Sequence, residues 1–469
     1  MSIHFEYGTM LEASIGATGG IAASDLDAIR YIFRSTRADL SLRHASGKLP
    51  FYDLPFDDQM IGEVEEFARS AQSRFRNLVL MGIGGSALGP IALHASLNHL
   101  QHNLLPDATR KGMRFFCPDN VDPDYINSVL DVTDPKESLY NVVSKSGGTA
   151  ETVAQFLIVV DLLKNKLGKH WRDHLVLTTD PEQGLLRKFA REEGIKTFDI
   201  PPGVGGRFCL LTPVGLLPAA LTGINIRGLC AGARMVKDSC FQPDLEANPA
   251  ALFAGLLYLA QVVKGRPIHV VFAYSNRLYP VADWFRQLWA ESLGKRYSTD
   301  GREINTGPTP VKAIGATDQH SQVQLYLEGP ADKAFVFLGT REFQTNITLP
   351  DIGSQAPEIN YLQGAQLDQL LNAERKATAY ALASSGKPVM SLELDSIDAQ
   401  HVGALMYLME AATLYGGGFY RVNPLDQPGV EAGKKATYAL MGRAGYEAEK
   451  ATMEKFYQNT GKKELVLKV

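Results

Sequence analysis

The chain reads as an α/β protein: two mostly parallel sheets, each flanked by helices, with helical segments at its N- and C-terminal ends. Three observations predict this. Short apolar runs alternate with helix-length stretches, at Leu78–Met81, Arg114–Pro118, Leu139–Val143, His174–Thr179 and Lys196–Ile200, as in parallel strands joined by crossover helices. After irregular composition between Cys230 and Pro249, the alternation restarts with a helix over Ala250–Lys264 and a strand over Ile268–Ala273. Two of the strands also run directly into Gly-rich turns that open a helix, which puts ligand loops at strand C-termini. The predicted organisation is a helical segment over 1–70, one α/β domain over 71–235, a second over 236–420, and a helical tail over 421–469.

Bulk properties narrow the function. The chain has 469 residues, 45% hydrophobic and 21% charged, with a formal net charge of -4. No long basic run is present, so nucleic acid is not an expected partner. The four cysteines, Cys117, Cys209, Cys230 and Cys240, form no Cys-x-x-Cys pair, which points to neither a zinc site nor a disulfide framework. The first residues lack the basic and apolar regions of a signal peptide, and the longest apolar runs are too short to span a bilayer. A reducing cytoplasm is the expected home.

In chain order, Ala22–Leu40 has helical periodicity with Ser24 as its cap, Lys48–Pro55 is a Pro-broken connector, and Asp57–Arg74 is helical. Gly82-Ile-Gly-Gly-Ser-Ala-Leu-Gly-Pro90 then follows a strand. Its glycines can turn backbone N–H groups toward an anion. Gly82, Gly84 and Ala87 also satisfy the loose dinucleotide pattern, with Asp119 as a conceivable ribose acid. In the helix that follows, His94, with His99 and His102 beyond it, reads as surface rather than a metal site. Ser144-Lys-Ser-Gly-Gly-Thr149 is more specific. It gathers hydroxyls, one cation, two glycines and free helix-start amides within six residues, the donors a phosphate monoester requires. The Walker A spacing is absent, which disfavours nucleotide triphosphate hydrolysis. Arg207 leaves the turn Pro201–Phe208, suited to offset a developing oxyanion.

The Asp283–Lys295 stretch carries an acid on an apolar helix that Gly294 ends. Gln287 and Glu291 are four residues apart, about 40° around the axis, and so share a face. A carboxylate lodged among indoles and Leu293 would lose hydration and become a stronger base when ionised. Arg296–Pro310 reads as a loop. His320 sits on a loop before an alternating strand over Gln322–Leu327, and a histidine there can pass protons at neutral pH. Strands Ala334–Leu338 and Pro388–Leu392, and helices Gln366–Ser384 and Gln400–Leu414, complete this half. Beyond the Gly416–Gly418 run, Asp426 reads as an N-cap, and Gln427, Glu431 and Lys434 fall near one side of the next helix.

Taken together, GIGGSALGP, SKSGGTAET, GGRF, QLWAESLGK, TDQHSQ and DQPGVEAGK, in this order from about Leu78 to Ala436, resemble the glucose-6-phosphate isomerase family, bacterial type. The resemblance implies two sugar isomerase (SIS) domains, a dimer, and no metal, nucleotide or other cofactor. It implies that Ser144, Ser146 and Thr149, with Lys145, bind the phosphate and that Gly85 and Ser86 lie beside the sugar. It further implies that Arg207 steadies the intermediate, that Gln287 and Gln427 contact the ligand, and that Glu291 is the isomerisation base. His320 and Lys434 match the ring-opening pair, with the histidine contributed by the other subunit. Two positions depart from the pattern: Cys209 replaces a usual Ser or Thr, and Leu425 a common aromatic. The rival readings are an NAD-dependent dehydrogenase, a non-catalytic sugar-phosphate sensor, and an isomerase acting also on mannose 6-phosphate.

Overall fold

The computed structural model describes residues 1–353, 356–460 and 463–467. Residues 1–424 form one compact unit and residues 425–469 a second.

Within the first unit, β2 (Asn77–Met81), β3 (Arg114–Phe116), β4 (Ser138–Ser144), β5 (Leu175–Thr179) and β6 (Lys196–Asp199) form a parallel sheet ordered β3-β2-β4-β5-β6. β2, β4 and β5 are buried throughout, as expected for apolar runs covered by helices on both faces.

The second sheet contains β1 (Ile3–Glu6), β7 (Ile268–Ala273), β10 (Thr309–Ile314), β11 (Lys333–Glu342) and β12 (Val389–Ser396), ordered β1-β12-β11-β7-β10. Its last four strands are parallel, while β1 pairs antiparallel with β12. The N-terminal segment, otherwise helical, therefore starts with a strand. Both sheets share one winding. β2 has β3 on one side and β4 on the other; β7 likewise has β10 on one side and β11 on the other.

The helix Tyr279–Leu293 starts one turn earlier than the sequence suggests, with Pro280 in its first turn. Val281, Ala282, Trp284, Phe285, Leu288 and Trp289 are buried. Trp289 Nε1 donates to His269 Nδ1 at 3.0 Å inside the core, and the helix packs against the Leu88–Leu97 helix.

Several local expectations are corrected. Ala22, not Ser24, caps the Ala23–Ala45 helix, its N–H held by Asp25 Oδ2 at 3.0 Å. Arg296–Pro310 is not a plain loop: β8 (Lys295–Tyr297) and β9 (Glu303–Thr306) pair as an antiparallel hairpin, and β10 begins at Thr309. Gln322–Leu327 is not a strand, because Val323–Glu328 is helical. Val323, Tyr326 and Leu327 face one apolar cluster, and their i, i+3, i+4 spacing is helical. The helix expected over Gln400–Leu414 runs on through Gly416–Gly418, spanning Ala399–Phe419. A Cβ on Gly418 would stand 2.1 Å from Thr36 Oγ1, and one on Gly417 2.7 Å from Pro424 Cδ. These glycines serve close packing. Finally, His94 and His102 are not helix surface. His102 is buried with Nε2 2.9 Å from the Met113 carbonyl, the two rings meet edge-on at 4.9 Å, and burial lowers the His94 pKa to about 3.

The second unit contains a short turn of helix over Pro428–Val430 and helices Glu431–Leu440 and Glu447–Thr460. Gln427, not Asp426, directly precedes the first of them. Among the described residues no helix is long and apolar enough to cross a membrane. All four cysteines are free and buried.

Candidate active site

Two Gly-rich turns of the first unit meet backbone to backbone. A Cβ on Gly85 would fall 2.2 Å from the Gly206 carbonyl oxygen, and one on Gly84, whose φ is +58°, 2.9 Å from Gln287 Nε2. Only glycine permits such an approach. Gly84 of the would-be dinucleotide pattern thus faces Gln287 of the protein itself. Cys209 donates its thiol hydrogen to the Gly206 carbonyl at 2.8 Å and reaches Gly85 O at 3.5 Å. Burial pushes this thiol up to about 12, so at neutral pH it keeps its proton and can replace a hydroxyl donor. Ser86 closes the first turn, its N–H bonded to Ile83 O at 3.2 Å.

Arg207 leaves the second turn only 6% exposed. Its Nη1 lies 2.9 Å from Glu291 Oε1, its Nε donates to Ser292 Oγ at 2.9 Å, and its Nη2 donates to Pro424 O at 2.9 Å. Gln287 Nε2 donates to Glu291 Oε2 at 3.0 Å. Both carboxylate oxygens are therefore held, one by an arginine and the other by an amide one helical turn back. Lys295 Nζ donates to the carbonyls of Glu291 and Ser292 at 2.7 and 2.8 Å, and Gly294 N–H to Ala290 O at 2.8 Å, which fastens the helix end. The expectation of a carboxylate among indoles is corrected. Trp284, Trp289 and Leu293 turn into the core, while Glu291 faces a crevice of about 520 Å³ bordered by Gly84, Leu88, Gln287 and Thr309.

The Ser144–Thr149 turn joins β4 to the helix Ala150–Leu167. Ser144 Oγ accepts from Gly147 N–H at 3.1 Å and Ser146 Oγ from Gly148 N–H at 3.2 Å. Thr149 is the N-cap residue, yet its hydroxyl makes no capping bond. Gly147, at φ +62°, brings this turn against Leu185 N. Lys145 Nζ donates to Val204 O at 2.7 Å, which ties the turn to the segment bearing Arg207. The acid and the serine-rich turn are thus linked through one loop.

His320 occupies a short helix, Thr317–Ser321, rather than a loop, and is exposed. Neighbouring Asp318 accepts from Ile314 N–H at 2.7 Å and Ser321 Oγ at 2.7 Å, and Gln319 accepts from Tyr274 Oη at 2.6 Å. These side chains build the helix. Lys434 and Gln427 belong to the second unit, where Lys434 Nζ bonds Glu431 Oε1 at 2.8 Å. Leu425 opens that unit.

Sequence reasoning missed two supporting residues, Ser292 and Lys295. Their signal was spacing: they follow Glu291 by one and four positions, and i, i+4 places Lys295 over the exposed helix-end carbonyls. Among the described residues no group of three or more His, Cys, Asp or Glu side chains is arranged to hold a metal.

Comparison with known proteins bears on this crevice. Residues 60–452 match the phosphoglucose isomerase family. The glucose-6-phosphate isomerase of Carboxydothermus hydrogenoformans is 46% identical over 431 residues, covering 92% of this chain and 93% of that one. The enzyme of the same name from Rubrobacter xylanophilus is 42% identical over 95% of this chain and 99% of its own. The crystal structure of a hypothetical protein from Thermus thermophilus superposes with a TM-score of 0.83 at 37% identity, covering 94% of this chain and 100% of that one. A glucose-6-phosphate isomerase from Chlamydia trachomatis superposes with a TM-score of 0.73 at 25% identity, over 85% of this chain and 77% of that one. The matched span includes both Gly-rich turns, the serine-rich turn and the helix carrying Glu291, and the chain belongs to the phosphoglucose isomerase family.

Proposed function

We propose that this protein interconverts glucose 6-phosphate and fructose 6-phosphate, an aldose–ketose isomerisation of glycolysis and gluconeogenesis, through a cis-enediolate. The observation that carries the reading is the contact of Glu291 with Arg207 at 2.9 Å and with Gln287 at 3.0 Å. A carboxylate that borders the crevice from the end of a helix is paired there with a buried guanidinium. Such a pair supplies a base for a proton next to a carbonyl and a fixed cation for the resulting oxyanion.

The substrate's phosphate rests on Ser144, Ser146 and Thr149, with Lys145 behind the turn, and the sugar lies beside Gly85 and Ser86. His320 and Lys434 open the ring, one giving a proton to the ring oxygen and the other taking one from the C1 hydroxyl. Glu291 then removes the C2 proton of the open aldose as the C1 carbonyl oxygen gains negative charge. The C2 hydroxyl proton passes to the C1 oxygen, and Glu291 returns the carbon-bound proton to C1 as the C2 oxygen becomes the ketone, with Arg207 offsetting the oxyanion throughout. Gln287 orients the carboxylate, and Gln427 contacts the sugar phosphate. Binding energy from the phosphate, remote from the reacting carbons, holds them in register. His320 is exposed and its ring makes no hydrogen bond to another described residue, which fits a side chain delivered to the crevice of a second copy in a homodimer. The two SIS domains, over 71–235 and 236–420, are organised around the two sheets, and the enzyme works in the cytoplasm without a cofactor.

The test is a coupled assay of fructose 6-phosphate conversion to glucose 6-phosphate with purified protein. Turnover that survives EDTA supports the reading. Binding of the sugar phosphate without turnover would instead indicate a sensor.

A further inference from the structure

The two sheets are wound alike, and the likeness extends to what surrounds them. In each, the chain passes from a central strand to its neighbour on one side and later returns to the other side, so the switch point lies between β2 and β4 in one sheet and between β7 and β11 in the other. Open α/β sheets hold ligands outside strand C-termini at this point. The first switch point carries the Gly82–Ser86 and Ser144–Thr149 turns. The second is bordered by Ser275–Arg277 after β7 and by Glu342–Thr345 at the end of β11, and a crevice of about 570 Å³ opens there, close in size to the one beside Glu291.

The correspondence holds element by element. The helix after β7 lends Gln287 and Glu291 to the first crevice, and the helix after β2 ends at the second with Leu97, Asn98 and His99. Pro308–Pro310, leading into β10, edge the first crevice; Thr109 and Lys111, leading toward β3, edge the second. The two helices pack on each other between the crevices. The contents differ. The carboxylate of the second crevice, Glu342, comes from the end of β11 and not from the Leu88–Leu97 helix, and among the described residues Arg277 meets backbone carbonyls there rather than that acid.

We propose that this second crevice binds a small phosphate monoester of a polyol without transforming it. Lys111 is exposed at its rim and makes no ion pair with any described residue. Arg277 lines the same space, with Nη1 fixed on Ser96 O and Asn98 O at 2.9 Å each. Asn276 and Thr345 add neutral donors, and Glu342 and Gln344 offer acceptors for hydroxyls. Arg277 bonds to the last turn of the Leu88–Leu97 helix and to the residue after it, which fixes that wall of the crevice.

The inference rests on the proposed reading of the first crevice, and the test separates the two. Glucitol 6-phosphate, which has no carbonyl and cannot turn over, is the probe in equilibrium dialysis against the whole protein. Two saturable sites per chain are expected. The double variant Ser146→Ala/Thr149→Ala should keep only the second. Lys111→Glu should weaken that second site at least about tenfold, as expected when a favourable charge contact becomes repulsive, while leaving turnover of fructose 6-phosphate unchanged. One saturable site that vanishes in the double variant would overturn the second site alone. Two sites of which neither responds to the double variant would overturn the reading of the first crevice instead. Two sites that are both indifferent to Lys111→Glu would remove the second from this crevice.

Discussion

Replacing Arg207 with lysine preserves the charge and removes the geometry. The guanidinium reaches Glu291, Ser292 and Pro424 through three different nitrogens, each at 2.9 Å. An ammonium on a shorter reach cannot serve three acceptors lying on different sides. Keeping one contact forfeits two hydrogen bonds made by a charged donor, roughly 1.5–3 kcal/mol each. The part expressed in catalysis is what the arginine contributes to the enediolate, and loss of one such donor costs about 10²–10³ in kcat. The phosphate is held by other residues, so KM for fructose 6-phosphate should stay within about threefold, the signature of an interaction made only in the transition state. Steady-state kinetics in the coupled assay, with thermal unfolding run alongside to confirm folding, would read this directly. A folded Arg207→Lys protein with kcat within about fivefold of the parent, or with its loss confined to KM, would refute the assignment of Arg207 to the developing charge.

Other outcomes follow from the same geometry. Glu291→Gln should abolish solvent exchange of the C2 proton, followed by NMR in deuterated water, while sugar phosphate still binds; retained exchange would assign the base elsewhere. Thr149→Ala removes a hydroxyl that makes no capping bond, so helix stability should hold while KM rises about 10- to 100-fold, matching one lost hydrogen bond to a charged group. Gly418→Ala forces a Cβ to 2.1 Å from Thr36 Oγ1 and should cost about 1–3 kcal/mol in denaturant unfolding, with part recovered in a Thr36→Ala background. Burial lowers the His269 pKa to about 3, so the folded protein excludes a proton that the unfolded chain takes up below about pH 6.5. The contribution of His269 to stability is then level above pH 6.5 and falls by about 1.4 kcal/mol per unit below it, toward pH 3. Denaturant titrations at pH 7 and pH 5 should show a shallower fall in His269→Asn than in the parent.

Much of this was legible in the residues. Strands buried on both faces announce themselves as apolar runs, and β2, β4, β5 and β7 fell where such runs lie. The turns around Gly85 and Arg207 were legible because close backbone approach leaves few residue choices, and the Gln287–Glu291 pair because a helix fixes its own spacing. What surrounds Glu291 was not. Aromatic neighbours in sequence lie on the other side of the helix, and the arginine that meets the carboxylate comes from a turn some eighty positions earlier. The hairpin of β8 and β9 is polar and mostly exposed, so it carries no apolar signature. Val323–Glu328 misled because six residues are too few to separate alternation from a helical face. His94 read as surface because burial against His102 and Phe115 depends on contacts across the chain.

The glycine run near the end of the Ala399–Phe419 helix bears on any attempt to make this enzyme hardier. Exchanging helical glycine for alanine is an ordinary route to a higher melting temperature, worth about 1 kcal/mol where space allows. At Gly416 the added methyl would press on Leu293 at 3.1 Å and on Trp289 at 3.3 Å. Those two side chains bracket the turn from which Glu291 and Ser292 project. A thermostability screen run without an activity readout would therefore risk selecting a sturdier scaffold whose base no longer meets its arginine.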